Sequence, residues 1–155
     1  MSTTGSDGGA GTSGDPFLTI SHALAVVNAT DGGAGSVVTV LPGTHAVASA
    51  LRLNSASLSC SVASAGACVL DGTGSTRVLW AADRGTLSAS SPPHVAWFSF
   101  VTDSTALGAA VRVDDASVAL QDCNFTGAPR NAVHVTAASA SVGITRCTFI
   151  GNGER

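Results

Sequence analysis

The stretch VALQDCNFTG, residues 118–127, returns as VGITRCTFIG, residues 142–151, and this repetition decides how the chain is read. Cys123 and Phe125 recur as Cys147 and Phe149, and Val118 and Leu120 recur as Val142 and Ile144 at the same interval. Within each copy apolar and polar residues alternate, which is the period of a strand and not of a helix. A repeat this short has no room for a strand–helix–strand unit, whose crossover alone takes about a dozen residues. Each repeat therefore holds several short strands, and stacking such repeats builds a parallel β-helix, with equivalent residues about 4.8 Å apart. Val118, Leu120, Cys123 and Phe125 then point inward, Val142, Ile144, Cys147 and Phe149 form the next layer of the same columns, and Asn124 and Thr148 face out.

The pattern extends upstream with changes of spacing. Val111 and Val113 recur as Val133 and Val135 at an interval shorter by two, so two extra residues fall in the loop TAASAS, residues 136–141. A weaker copy, HVAWFSF at 94–100, aligns Val95, Trp97 and Phe100 with Val118, Leu120 and Cys123, an interval shorter by one. Ahead of the repeats, SVVTVLPGTH reads as a strand followed by a Pro42-Gly43 turn. Before that, Ile20, Ala23, Leu24 and Val27 share one helical face behind a Thr19 N-cap, which predicts a helix over 19–28, stopped by the breaker cluster Asn28 to Gly35. Residues 1–15, MSTTGSDGGAGTSGD, read as a flexible leading segment, residues 16–35 as helix and turn, and residues 36–155 as β-coils that continue beyond Arg155.

Composition agrees with strands. Ala (26), Ser (20), Gly (18) and Thr (16) supply over half of the 155 residues, while Lys is absent and Glu, Gln and Met occur once each. The straight-chain helix formers are therefore scarce. Leu, Ile, Val and Phe number 36, above the roughly one-fifth share below which chains stay disordered. The seven basic residues are all Arg and are scattered, and the net charge is −3, which leaves no electrostatic footprint for nucleic acid. No apolar run reaches membrane-spanning length.

The opening, GSDGGAGTSGDPFLTISHALAVV followed by VVTVLPGTH, resembles the start of right-handed parallel β-helix proteins of the pectate-lyase-like superfamily. In that superfamily a short helix caps the first coil, the role this implies for Thr19 to Asn28. The later part, AAVRV, VALQDCNFTG, NAVHV and VGITRCTFIGN, resembles the repeats of polymorphic outer-membrane proteins. The paired glycines of that repeat are replaced here by Ala109-Ala110 and Asn131-Ala132. The expected fold class is thus all-β, a right-handed parallel β-helix or solenoid with one N-terminal capping helix.

Chemistry-bearing residues are few. Cys60 and Cys68 enclose a short loop and read as a candidate disulfide in an oxidising compartment, or else as small unpaired core residues. Cys123 and Cys147 occupy one inward slot on adjacent coils; stacking aims both side chains the same way, which favours buried thiols over a bridge. His22, His45, His94 and His134 are dispersed and no C-x-x-C occurs, so no metal site and no cofactor are expected. By the resemblance, lyases of the superfamily use acidic calcium ligands with a basic residue on one outer face. Asp114, Asp115 and Asp122 with Arg112, Arg130 and Arg146 offer the residue types. Yet Asp122 and Arg146 read as an ion pair between coils, Asp114-Asp115 as a turn, and no catalytic residue is assigned. Asn28 and Asn124 begin candidate glycosylation sequons. Trp80 and Trp97 are candidates for an aromatic sugar platform, with Trp97, in an apolar strand slot, reading more readily as core.

These readings favour a non-catalytic β-helix segment of a larger extracellular or cell-surface protein, a structural scaffold or adhesion module. Its expected partners are other protein chains or further coils, with carbohydrate as a second class. The alternative is the N-terminal part of a carbohydrate-active β-helix enzyme, a lyase or hydrolase whose active site lies on downstream coils.

Overall fold

Turn residues interrupt the chain every few positions, so alternating apolar residues build strands of three to six residues among the described residues. The structure is a computed structural model that describes residues 1–31, 35–64, 66–72, 74, 77–82, 92–102 and 109–153. A first rung holds β1 (Val37–Val40), β2 (Gly43–Ala46) and β3 (Leu51–Leu53), and a second β4 (Ser57–Cys60), β5 (Cys68–Asp71) and β6 (Leu79–Ala82). A third holds β7 (His94–Ala96), β8 (Phe98–Val101) and β9 (Ala109–Asp114), and a fourth β10 (Ser117–Gln121), β11 (Asn124–Thr126) and β12 (Asn131–Val135). β13 (Ser141–Thr145) and β14 (Thr148–Ile150) follow. Every third strand pairs, giving three sheets ordered β1-β4-β7-β10-β13, β2-β5-β8-β11-β14 and β3-β6-β9-β12. All pairings are parallel. The arrangement is a repeating, three-sheet parallel stack around one core, compatible with a parallel β-helix.

Parallel register lays like side chains over one another. In the first sheet Val38, Leu58, Val95, Leu120 and Ile144 form one inward column. The second sheet contributes His45, Leu70, Phe100, Phe125 and Phe149, and the third Leu51, Leu79, Val111 and Val133. The phenylalanine rings stack nearly parallel, with centroids 4.7 Å apart from Phe100 to Phe125 and 4.9 Å apart from Phe125 to Phe149. Phe100 and Phe125 are fully buried, whereas Phe149 on the last rung is 45% exposed.

One register differs from the sequence reading. Val95 lies opposite Leu120 and Phe100 opposite Phe125, where the sequence alignment set them against Val118 and Cys123, so the step between these rungs is longer by two than expected. The cause is Trp97. It is not a strand-interior core residue but the corner between β7 and β8, with φ 63°, the place taken by Asp122 (φ 52°) and Arg146 (φ 52°) on the next two rungs. A left-handed corner is unusual for a bulky side chain; here the ladder bonds on both sides over-determine it, with the Trp97 N–H donating to the Gln121 carbonyl at 3.1 Å. The glycine of the repeated motif also has a defined task. Gly127 has φ 75°, and a Cβ there would sit 2.8 Å from the Thr102 carbonyl oxygen.

Helix α1 (Ile20–Asp31) lies against β1 and β3 and buries Ile20, Ala23 and Leu24. The Thr19 hydroxyl accepts the His22 N–H at 3.1 Å as its N-cap, and Asp7 in turn accepts the N–H groups of Leu18 and Thr19. The helix runs past the expected stop at Asn28 and ends at Asp31. In the last turn the Thr30 hydroxyl donates to the Val26 carbonyl at 3.0 Å, the usual way a threonine inside a helix satisfies its hydroxyl. Of residues 1–15, expected as a flexible segment on composition, Met1 hydrogen-bonds to the first rung and Ser2, Ser6 and Asp7 bond to residues 16–19. The terminal ammonium of Met1 donates to the Thr39 carbonyl at 2.7 Å, and the Met1 carbonyl accepts the Leu41 N–H.

If the phenylalanine column carries the core, Phe125→Ala costs about 3 to 5 kcal/mol in denaturant unfolding, the usual range for a buried ring. Phe149→Ala costs about half of that, because nearly half of its surface already meets water. Equal losses at the two positions contradict the stacking described above.

Candidate functional site

The outer face of the third sheet gathers the most varied side chains. In-register pairing of LRL (51–53), LWA (79–81), VRV (111–113) and VHV (133–135) keeps the flanking apolar residues inward and turns the middle ones outward. Arg52, Trp80, Arg112 and His134 therefore form one outward column. The Arg52 guanidinium lies over the Trp80 ring, 4.5 Å from its centroid, and that of Arg77 approaches to 5.6 Å. Beside them Asp114 binds three donors from three rungs. Arg112 Nε reaches its two oxygens at 2.7 and 2.8 Å, the Trp80 indole N–H donates at 2.9 Å, and the Thr136 hydroxyl donates from beyond β12. Burial opposes ionisation of Asp114, but hydrogen bonds from Arg112, Thr136 and Trp80 outweigh it and hold the carboxyl below the usual carboxylate range. Sequence reading missed this column because the rungs preceding β9 are irregular in length. The recurring apolar-x-apolar triplet was the available signal.

A second polar ladder runs along the corner between the first and second sheets. Asp122 and Arg146 form a two-pronged pair, Nε to Oδ1 at 2.6 Å and Nη2 to Oδ2 at 2.7 Å. The Arg146 hydrogen bonds lower the Asp122 pKa. Asp115 occupies another left-handed corner (φ 51°), is exposed, and accepts the Ser139 hydroxyl. The acidic residues weighed as calcium ligands are thus apportioned among separate partners. Arg130 is exposed on the turn before β12. Among the described residues no group of three or more His, Cys, Asp or Glu is placed to hold a metal ion.

Cys60 and Cys68 are joined by a disulfide with a Cα separation of 5.9 Å. Both side chains point into the core and are almost wholly buried. Cys123 is a free, buried thiol whose pKa desolvation pushes up to about 12, and Cys147 is a free, half-buried one. Cys123 is no ready nucleophile, because a thiol that stays protonated is a poor one. Asn124 is half-buried on the outer side of β11, between Ser99 and Thr148. Asn28 is half-buried in the last turns of α1, and its side-chain oxygen is buried without a hydrogen-bond partner. His45 is buried, with its Nε2 3.0 Å from the Leu41 carbonyl, and His22 meets the Phe17 ring edge-on.

No family model matches the chain, and neither a curated protein nor a solved structure matches it.

Two sets of measurements follow from this geometry, the first on the cysteines. Thiol titration of the native protein labels Cys147 ahead of Cys123, two thiols react in denaturant, and all four after reduction. Opening the disulfide by Cys60→Ser with Cys68→Ser costs about 2 to 3 kcal/mol, the loop-closure value for so short a ring. The second concerns acid. Asp114 and Asp122 have folded pKa values below the unfolded value of about 3.9, so their contribution is fully present above that pH and is lost as pH falls through the folded values. Asp114→Asn therefore lowers stability at pH 7 and flattens its decline below about pH 4 in a urea-midpoint series.

Proposed function

We propose that the chain is part of a right-handed parallel β-helix of the pectate-lyase-like kind, a non-catalytic scaffold within a larger extracellular or cell-surface protein that holds an interaction face. The observation that carries this reading is the use of the outward charges. Asp114 with Arg112, Trp80 and Thr136, and Asp122 with Arg146, link neighbouring rungs, so the polar residues that a hydrolytic or lyase site would aim at substrate tie the stack together. A disulfide inside the core suits an oxidising compartment. No described helix is long and apolar enough to cross a membrane.

Two assays test the proposal. Antibodies raised against the folded chain stain intact producing cells or bind their medium; staining only after permeabilisation contradicts it. Incubation of the chain with polygalacturonate and calcium yields no unsaturated uronide absorbance. Product formation that Arg112→Ala or Arg146→Ala abolishes shows that the enzyme alternative is correct.

A further inference from the structure

The column on the third sheet has a composition and a state of bonding that its structural role leaves unexplained. Trp80 and Arg112 already have a partner in Asp114, yet Arg52 stands exposed with its guanidinium on the indole face. Among the described residues, no hydrogen bond engages the Arg52 guanidinium, the two terminal Nη groups of Arg112, or the His134 ring. Stacking on an aromatic ring holds a guanidinium flat while its N–H donors point outward around the ring edge, where a second carboxylate can pair with two of them. The side-chain entropy that binding normally costs is largely lost already on folding.

Asp114 shows which group this surface accepts. Its carboxylate is met by an indole N–H from one rung and an arginine Nε from the next, a hydrogen-bonded fit to an aspartate side chain within the chain itself. Arg52 and Arg112 are two rungs apart, about 10 Å by the spacing of paired strands. They therefore offer two further carboxylate positions in a row, separated by the tryptophan. Tryptophan and arginine are also the residue types that dominate binding energy at protein interfaces.

We infer that this face docks an acidic peptide segment of a protein partner, with carboxylates about 10 Å apart seated on Arg52 and Arg112 across Trp80. The inference rests on the interaction-module reading above and names its surface and the chemistry of its partner. Charge complementarity decides the occupant. A sugar stacks on an open aromatic face, and here Arg52 covers the indole and Arg77 stands 5.6 Å from its centre. Nucleic acid is disfavoured because the seven arginines are scattered along the chain, with no lysine, and form no extended basic stripe to follow a phosphate backbone.

The test uses the intact chain and a short fluorescein-labelled peptide rich in Glu and Asp, followed by anisotropy at low salt. The peptide binds, binding weakens as salt is added, and the Gln/Asn version of the same peptide does not bind. Arg52→Ala weakens binding about tenfold or more, and the Arg52→Ala, Arg112→Ala pair abolishes it. Arg146→Ala, which removes an arginine of equal charge from another corner, changes binding less than about twofold. Trp80→Phe keeps a ring under Arg52 and controls for misfolding, which circular dichroism monitors in every variant. Failure of the acidic peptide to bind, equal losses at Arg146 and Arg52, or an Arg52-dependent preference for a sulfated glycan such as heparin each overturns the inference. Absence of binding combined with staining of intact cells discards this face alone, whereas peptide binding without surface staining discards the localisation and keeps the face.

Discussion

In a parallel pair of strands each residue has one neighbour above and one below, and here the pairing holds across five layers in two of the sheets. That constraint governs the rest of the molecule. An inward residue must fit the residue one rung away as well as the core between the sheets: Phe125 lies on Phe100 and Phe149, Leu58 on Val95, and where sizes differ, as for Leu70 under Phe100 or Cys68 under Phe98, both are apolar. Each wholly buried Phe, Leu or Val contributes about 1.5 to 3 kcal/mol by leaving water. The stacked rings of Phe100, Phe125 and Phe149 add the attraction of offset aromatic faces. The corners follow the same rule: once Asp122 and Arg146 share a left-handed turn, their side chains leave the stack side by side and meet as an ion pair.

The ladder that aligns the core also aligns the surface. Outward residues of one column stand about 4.8 Å apart, which is contact distance for long side chains. A cation, an aromatic ring and a carboxylate on consecutive rungs therefore find one another without any loop to hold them. The group around Asp114 arises in this way from three rungs, and the same geometry lays the exposed guanidinium of Arg52 over the Trp80 ring. A surface of this kind is stiff and laterally extended, suited to recognition by several modest contacts in a row. Enclosure of a small molecule calls for the concave pocket that a flat sheet face does not supply.

How far the sequence disclosed this depends on how regular each rung is. The last two copies of the repeat keep one interval, with a cysteine and a phenylalanine in fixed places, so the inward columns of β10, β11, β13 and β14 were legible directly. Trp97 misled, because a large apolar residue between Val95 and Phe98 suggests a strand interior when it is a corner, and the alignment slipped by two. The strands β3 and β6 are separated from their neighbours by stretches of sequence of unequal length, which hid the alignment of Arg52 with Trp80 and of Trp80 with Arg112. Composition likewise could not reveal that Met1 hydrogen-bonds to Thr39 of β1 and to Leu41, since neither bond uses its side chain.

The central claim is that rungs stack in parallel register, with Phe125 of β11 paired to Phe100 of β8 on one side and to Phe149 of β14 on the other. Nuclear Overhauser spectroscopy on the uniformly labelled chain tests it most directly. The account predicts contacts from the Phe125 ring protons to those of both Phe100 and Phe149, and amide-to-α contacts linking Asn124 to Ser99 and to Thr148. Contacts that instead join Phe100 to Cys123, or α-to-α contacts typical of antiparallel strands, contradict it.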